Sequence, residues 1–444
     1  MKLENAKSKL GLFSVISFVI ANMVGTGVFT SLGFQLGGGV SNIFSVLALW
    51  LVGGIIAFFG ALVYGELGSA MPRSGGEYHY LSKIYHPSVG FLSGWVSITV
   101  GFSAPVAAAC MAMAAYVCSI FPEINAILFA IIILTVITLI HSFSVAVGKG
   151  FQNFFTIFKV LFIVILIICG IFLTPESQPL ITDFQSFSFS SIFSPAFAVS
   201  LVFVTYAFSG WNAAGYIAGE IKNPQKNLPK SLFISTLFVT VLYLGLNFVF
   251  LYAAPKVELM GNPEVGLISA KYIFGNIGGT IMGGVISILL ISTISAMVFV
   301  GPRVSKTMGE DYSILKFLSF QGRLKTPIVA IWFQFLISFI LILTSKFDEV
   351  ITYAGFTLNL FTLLAVLGIF VHRYKFPNIE RPYKTWGYPI VPIIFGIIVT
   401  WISVYLLIFK TTESLWGLVT VALGLIFYLI NQLLYKKNQL KTKQ

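Results

Sequence analysis

Three stretches place unusual residue types inside apolar sequence. Gly25-Thr26-Gly27 lies near the middle of an apolar run over residues 11–36. Tyr206-Ala207-Phe208-Ser209-Gly210-Trp211-Asn212 lies mid-way through a second run, 194–219. Lys159 stands about nine residues into a third, 151–173, within Phe155-Thr156-Ile157-Phe158-Lys159. Two glycines one residue apart each weaken a helix by about 1 kcal/mol relative to Ala. Where a helix unwinds, the amides opening the next half are free donors at the positive end of its dipole and suit a carboxylate. The carbonyls closing the preceding half suit an ammonium. One broken pair can therefore read the zwitterion shared by all α-amino acids. Close packing of small residues between helices would also explain Gly-x-Gly, and on that motif alone the two explanations stand level. The matching weak point at Ser209-Gly210 favours binding.

Lys159 poses a separate question. A charge at membrane depth costs about 2.5–3.5 kcal/mol on insertion scales, and such residues face the bundle interior. A snorkelling lysine would have to reach the interface across about nine residues, roughly 13 Å at the helical rise. That is long for its stem, so a functional cation is the stronger expectation.

These residues need elements to hold them, and composition says which. The chain has 444 residues, 57% hydrophobic and 9% charged, with a mean hydropathy of +0.94. Soluble domains carry about 25% charged residues, so a soluble enzyme, a disordered chain and a nucleic-acid binder are excluded. Twelve apolar segments follow one another: 11–36, 43–69, 88–118, 124–142, 151–173, 194–219, 231–253, 277–303, 327–345, 349–372, 388–409 and 413–435. Each suits a membrane span of about 20 residues. The first is too long for a signal h-region and lacks a small-residue cleavage site, so it reads as a span. With the N-terminus inside, twenty-two Lys and Arg fall on cytoplasmic segments and four outside: Lys256, Lys271, Lys346 and Lys410. That bias predicts both termini to be cytoplasmic and accounts for the net charge of +12. Cys110, Cys118 and Cys169 all lie in apolar stretches and predict neither a disulfide framework nor a zinc site. Four scattered histidines offer no metal cluster, and no cofactor is expected.

Interrupted helices at corresponding positions of two halves point to a transporter's substrate site. Spans one and six correspond if the core is two five-span repeats. Five is odd, so the second repeat must be inverted. The expected fold is an all-α integral membrane protein with twelve spans, a first repeat in 1–173, a second in 194–372, a peripheral pair in 388–435 and a basic tail at 436–444.

Four motifs carry a family resemblance. They are Gly25-Thr26-Gly27-Val28-Phe29; Gly60 to Gly68 with Pro72-Arg73-Ser74-Gly75-Gly76-Glu77-Tyr78; Phe208 to Asn212 followed by Gly219 to Pro229; and Arg381-Pro382-Tyr383-Lys384 with Gly387-Tyr388-Pro389. In this order and over most of the chain they resemble the amino acid–polyamine–organocation superfamily of permeases, and most of all its L-type amino acid transporter branch with bacterial relatives. The resemblance implies that Gly25, Thr26 and Gly27 hold a substrate carboxylate. It implies that carbonyls near Met23 and at Tyr206, Ala207 and Ser209, beside Gly210, hold the ammonium, with Tyr206 as an aromatic gate. It also implies that Lys159 replaces a sodium ion against first-span carbonyls, with Ser292 or Thr293 as its partner on span eight. Ser295 departs from the pattern, since many relatives carry Asn there.

Other polar residues are read more plainly. Glu66 and Glu220 sit near cytoplasmic helix ends and are expected to pair with Arg73 or loop lysines. His79, His86, His141 and His372 are expected at interfaces. Cys118 lies inside its span, so no linked accessory subunit is predicted. There is no G-x-x-x-x-G-K-[ST] stretch for ATP, no charge ring or repeated filter loop for a channel, and no intramembrane acid–base constellation for an enzyme. The function expected is sodium-independent secondary transport of neutral L-amino acids at the cell membrane, as proton symport or as exchange. The partners expected are the amino acid, the bilayer and, for symport, protons. A polyamine or cationic amino acid transporter, or a non-transporting sensor of the same fold, is the alternative.

Overall fold

The computed structural model describes residues 9–143, 149–179, 185–322 and 326–442. Lys2, Lys7, Arg323, Lys325 and Lys443, all counted in the charge bias, lie outside the described residues, as do the side chains of the basic tail. The described chain is all-helical; its only β pairing is an isolated parallel bridge between Leu10 and Ile221.

The main helices are α1 (Leu12–Met23), α2 (Gly27–Gly37), α3 (Ile43–Ala70), α4 (Glu77–Ile84), α5 (Pro87–Val96), α6 (Ser103–Cys118), α7 (Ala126–Phe143) and α8 (Lys149–Leu173). They continue with α9 (Pro195–Phe208), α10 (Pro224–Ala253), α11 (Val265–Asp311), α12 (Ile328–Thr344), α13 (Phe347–Lys375), α14 (Ile390–Phe409) and α15 (Thr411–Thr442). Among the described residues, ten helices or broken helix pairs are long and apolar enough to cross a membrane, and α9 and α12 are shorter apolar helices. Their outward faces are apolar as well. Leu128, Ile132, Val136 and Ile140 form an exposed i, i+4 stripe along α7. A soluble protein does not leave such a face in water, whereas lipid tails accept it.

Local chemistry sets several boundaries. The Asn42 side chain caps α3 by accepting from the Phe44 and Ser45 amides at 2.9 and 3.3 Å. Ser194 accepts from the Phe197 amide at 3.2 Å, and Pro195 opens α9, a position where its missing N–H costs nothing. α10 starts at Pro224, seven residues before the expected limit, because Asn223 takes a left-handed φ of 49° and Pro224 fits the first turn. The charged Lys226 and Lys230 hid this turn from an apolar count. α11 also runs beyond 277–303, and Gly275 (φ 75°) breaks it near its start. The third span is likewise interrupted, by a π-helical turn at Ser97–Gly101 between α5 and α6. Such turns often mark functional positions.

Glu66 is a correction. It pairs with neither Arg73 nor a loop lysine. Its side chain is wholly buried, and its carboxylate accepts from Arg373 Nε and Nη2 at 2.9 and 2.7 Å and from the Thr385 amide at 2.6 Å. Arg381 Nε lies 3.5 Å away. One carboxylate thus ties α3 to the end of α13 and to the segment before α14. Removing one partner of a buried pair costs about 3–5 kcal/mol. Glu66→Ala should therefore lower the thermal midpoint of the purified protein markedly, with Glu66→Gln in between. An unchanged midpoint for Glu66→Ala would refute this account.

Candidate functional site

Both suspect helices are broken. α1 ends at Met23 and α2 begins at Gly27. Among the described residues the amides of Gly25, Thr26 and Gly27 make no backbone hydrogen bond. Three donors are thus left free at the start of α2, where its dipole is positive. The second break follows Phe208. Ser209 is extended (ψ 145°), Gly210 takes φ 95°, and the chain resumes as a short turn at Ala213–Tyr216. A Cβ on Gly210 would meet the Asn22 carbonyl oxygen at 2.6 Å. Only glycine satisfies both the backbone angle and that approach. A Cβ on Gly27 would meet Ala207 Cα at 2.5 Å. The close-packing role that competed at Gly-x-Gly is thus present alongside the free donors.

Lys159 is buried, with 3% of its surface exposed. Its ammonium donates to the Val24 carbonyl at 3.2 Å and to Thr293 Oγ1 at 2.8 Å. It crosses from α8 to the break in the first helix and to α11. Of the two hydroxyls considered on α11, Thr293 is the partner; Ser292 is buried one residue away.

Sequence reasoning missed Tyr243. Its hydroxyl on α10 is 2.7 Å from the Met23 carbonyl oxygen and 3.1 Å from that of Ala207, and donates between them. It pins the end of α1 to the end of α9. Both carbonyls were expected to serve an ammonium; each keeps one lone pair for it. A tyrosine in an apolar run carries no sequence signal for this role.

A cavity of about 760 Å³ opens beside the two breaks, with Asn22, Tyr206, Ser209 and Gly210 on its wall. Thr26 lies against the Tyr206 hydroxyl. Met23, Gly25, Thr26, Gly27 and Ala207 are not among the residues that line the cavity. Phe102, Trp211, Phe299 and Phe395 give the cavity aromatic surface.

Glu77 also reaches the wall, although it follows span two in sequence. Gly75 (φ 126°) and Gly76 (φ 53°) fold the loop inward. The carboxylate accepts from Tyr64 at 2.6 Å, Asn212 at 2.9 Å and Thr362 at 3.3 Å. Burial raises its carboxyl above the usual range, against the pull of those three donors. Arg303 on α11 also lines the cavity and lies over the Phe299 ring. Glu220 borders the cavity as well; among the described residues its side chain has no ion pair, which corrects the expected gate contact.

Two histidines are corrections too. His141 is buried, and its Nε2 lies 2.8 Å from Ser295 Oγ, a residue of the cavity wall. His372 is fully enclosed. Both lie a turn or less from a helix end, so loop proximity suggested an interface. Packing by neighbouring elements encloses them.

A family model described as amino acid permease matches residues 10–430. The chain belongs to the amino acid permease family. Among relatives of this permease, the b(0,+)-type amino acid transporter 1 of Homo sapiens is 30% identical, covering 97% of this chain and 89% of the relative. The large neutral amino acids transporter small subunit 2 of Mus musculus is 31% identical, covering 93% of this chain and 77% of the relative. These relatives are transporters, not enzymes. Together with its apolar helices, the match identifies the permease as a multi-pass membrane protein of an amino acid transport family.

Proposed function

We propose that this permease is a sodium-independent secondary transporter of neutral L-amino acids, working by alternating access. In this reading twelve spans form two inverted five-span repeats and a peripheral pair, with both termini cytoplasmic. The observation that carries the reading is the Lys159 ammonium between the Val24 carbonyl and Thr293. A fixed cation at the first break removes both the space and the electrostatic need for sodium.

Free amides at Gly25, Thr26 and Gly27 suit the substrate carboxylate. Carbonyls at Tyr206 and Ser209, with the remaining lone pairs of Met23 and Ala207, suit its ammonium. Tyr206, on the cavity wall and against Thr26, closes over the substrate. The side chain then points toward the aromatic part of the cavity. As one bundle rocks around this site, access passes from one face to the other. Coupling is either to protons or to a counter-transported amino acid, and no accessory subunit is required.

The preference for neutral substrates rests on the charges around the cavity. Glu77 faces it with Oε1 already accepting three hydrogen bonds, and Arg303, which lines the same cavity with Glu220, opposes a cationic side chain. Burying an unpaired cation is costly. In proteoliposomes without sodium, unlabelled leucine or alanine should suppress labelled leucine uptake at least about tenfold more effectively than arginine or lysine. Stronger inhibition by arginine would instead identify a cationic amino acid carrier using Glu77. Tight competition by amines lacking a carboxylate would overturn the zwitterion readout.

A further inference from the structure

A second pocket, of about 370 Å³, shares no lining residue with the first and lies between the loop after α3 and the end of α13. Arg73, His79 and Lys83 border it on one side and His372 and Phe376 on the other. Arg73 and Lys83 are exposed and, among the described residues, neither pairs with a carboxylate. Their fields converge on His79. Burial, joined by repulsion from Arg73 and Lys83, lowers its imidazole to about 4. The buried carboxylate of Glu66 is already taken by Arg373 and Arg381, and Glu77 Oε1 accepts from Tyr64, Asn212 and Thr362.

His372 supplies the independent observation. Its ring is fully buried, and neither Nδ1 nor Nε2 has a hydrogen-bond partner. A buried polar group left unpaired costs about 1–3 kcal/mol, and in a native protein it calls for a missing partner. The Phe376 ring packs on it at 5.4 Å. Met71, Pro72 and Ile379 add carbon surface. The pocket therefore combines unneutralised cations, an unsatisfied imidazole and an apolar wall.

We propose that this pocket binds the phosphate group of an organic phosphate, with Arg73 and Lys83 neutralising the anion, His372 hydrogen-bonded to the ligand, and the carbon wall holding its apolar part. An anionic phospholipid headgroup and a soluble phosphate ester share this chemistry. Charge-assisted hydrogen bonds from Arg and Lys are the strong kind and suit phosphate oxygens.

The full-length protein in detergent would be titrated with a fluorescent short-chain phosphatidylglycerol and with the matching phosphatidylcholine. Glycerol 3-phosphate and inorganic phosphate serve as competitors. Saturable binding of phosphatidylglycerol, at least about tenfold tighter than phosphatidylcholine, is expected. Arg73→Gln with Lys83→Gln should remove that preference, while Lys226→Gln with Lys230→Gln, two exposed lysines elsewhere, should leave it. His372→Phe keeps the ring and deletes both nitrogens, so it should weaken the anionic probe alone. Glycerol 3-phosphate binding as tightly as the lipid would assign the site to a soluble ester; weak competition would assign it to the membrane. Equal binding of both lipids, or an anionic preference surviving the Arg73 and Lys83 changes, would overturn the proposal.

Discussion

Lys159→Ala should abolish transport, lowering uptake by roughly 100-fold in sodium-free buffer. The lysine makes two hydrogen bonds across three helices, to Val24 on the first break and to Thr293 on α11. Each bond from a charged donor is worth about 1.5–3 kcal/mol. Losing about 3 kcal/mol from the binding-competent arrangement shifts its population by roughly two orders of magnitude. The alanine variant also leaves the Val24 carbonyl and the Thr293 hydroxyl beside an empty volume. If Lys159 exchanges a proton during the cycle, the wild-type uptake responds to pH and the variant does not. If it stays charged, the wild type exchanges amino acids at a rate indifferent to a pH gradient. Lys159→Arg keeps the charge but not the compact ammonium, and should rescue poorly. The decisive measurement is proteoliposome uptake in choline buffer over a pH series. Strict sodium dependence of the wild type, or an alanine variant with full activity, would discard the mechanism.

What the sequence could and could not reveal follows from how far each signal acts. Apolar helices were readable because hydropathy is a local property, and the end of α3 at Ala70 falls within a residue of its expected limit. The two breaks were readable because glycine weakens a helix wherever it stands. Lys159 was conspicuous because a charge in an apolar run has few explanations. Contacts made across long sequence separations were not readable. Glu66 finds Arg373 some three hundred residues away, and nothing near Glu66 distinguishes that partner from Arg73. Glu77 belongs to a loop by sequence and to the cavity wall by folding, through a turn at Gly75 and Gly76. Tyr243 looks like any aromatic residue in a span until the ends of α1 and α9 are brought to its hydroxyl. Gly27 shows the remaining ambiguity. Its spacing suggested free amides or close packing as alternatives, and the folded chain places both at one residue.

That double role makes Gly27 the most sensitive position at the first break. Adding one methyl group there puts a Cβ 2.5 Å from Ala207 Cα and 2.6 Å from Ala207 Cβ. Neither atom sits at the end of a flexible side chain, so α2 and α9 must separate. Overpacking of this kind costs about 1–3 kcal/mol, and here the shift acts directly on the proposed zwitterion site. It moves the amides of Gly25, Thr26 and Gly27 away from the carbonyls of Tyr206 and Ser209. It also stretches the shared Tyr243 bond to Met23 and Ala207. Gly27→Ala should lower leucine affinity at least about tenfold, and Gly27→Val should leave no measurable binding. Gly284→Ala on α11 serves as a control, since its Cβ meets nothing within 4 Å; it should bind like the wild type. Ala207→Gly removes only the second of the two contacts, because the Cα of residue 207 remains. It should therefore rescue Gly27→Ala in part and never fully. Binding by isothermal titration, alongside size-exclusion profiles showing monodisperse protein, separates a lost site from a lost fold. Wild-type affinity in Gly27→Val would show that the two breaks tolerate separation, and the zwitterion site would have to be placed elsewhere in the cavity.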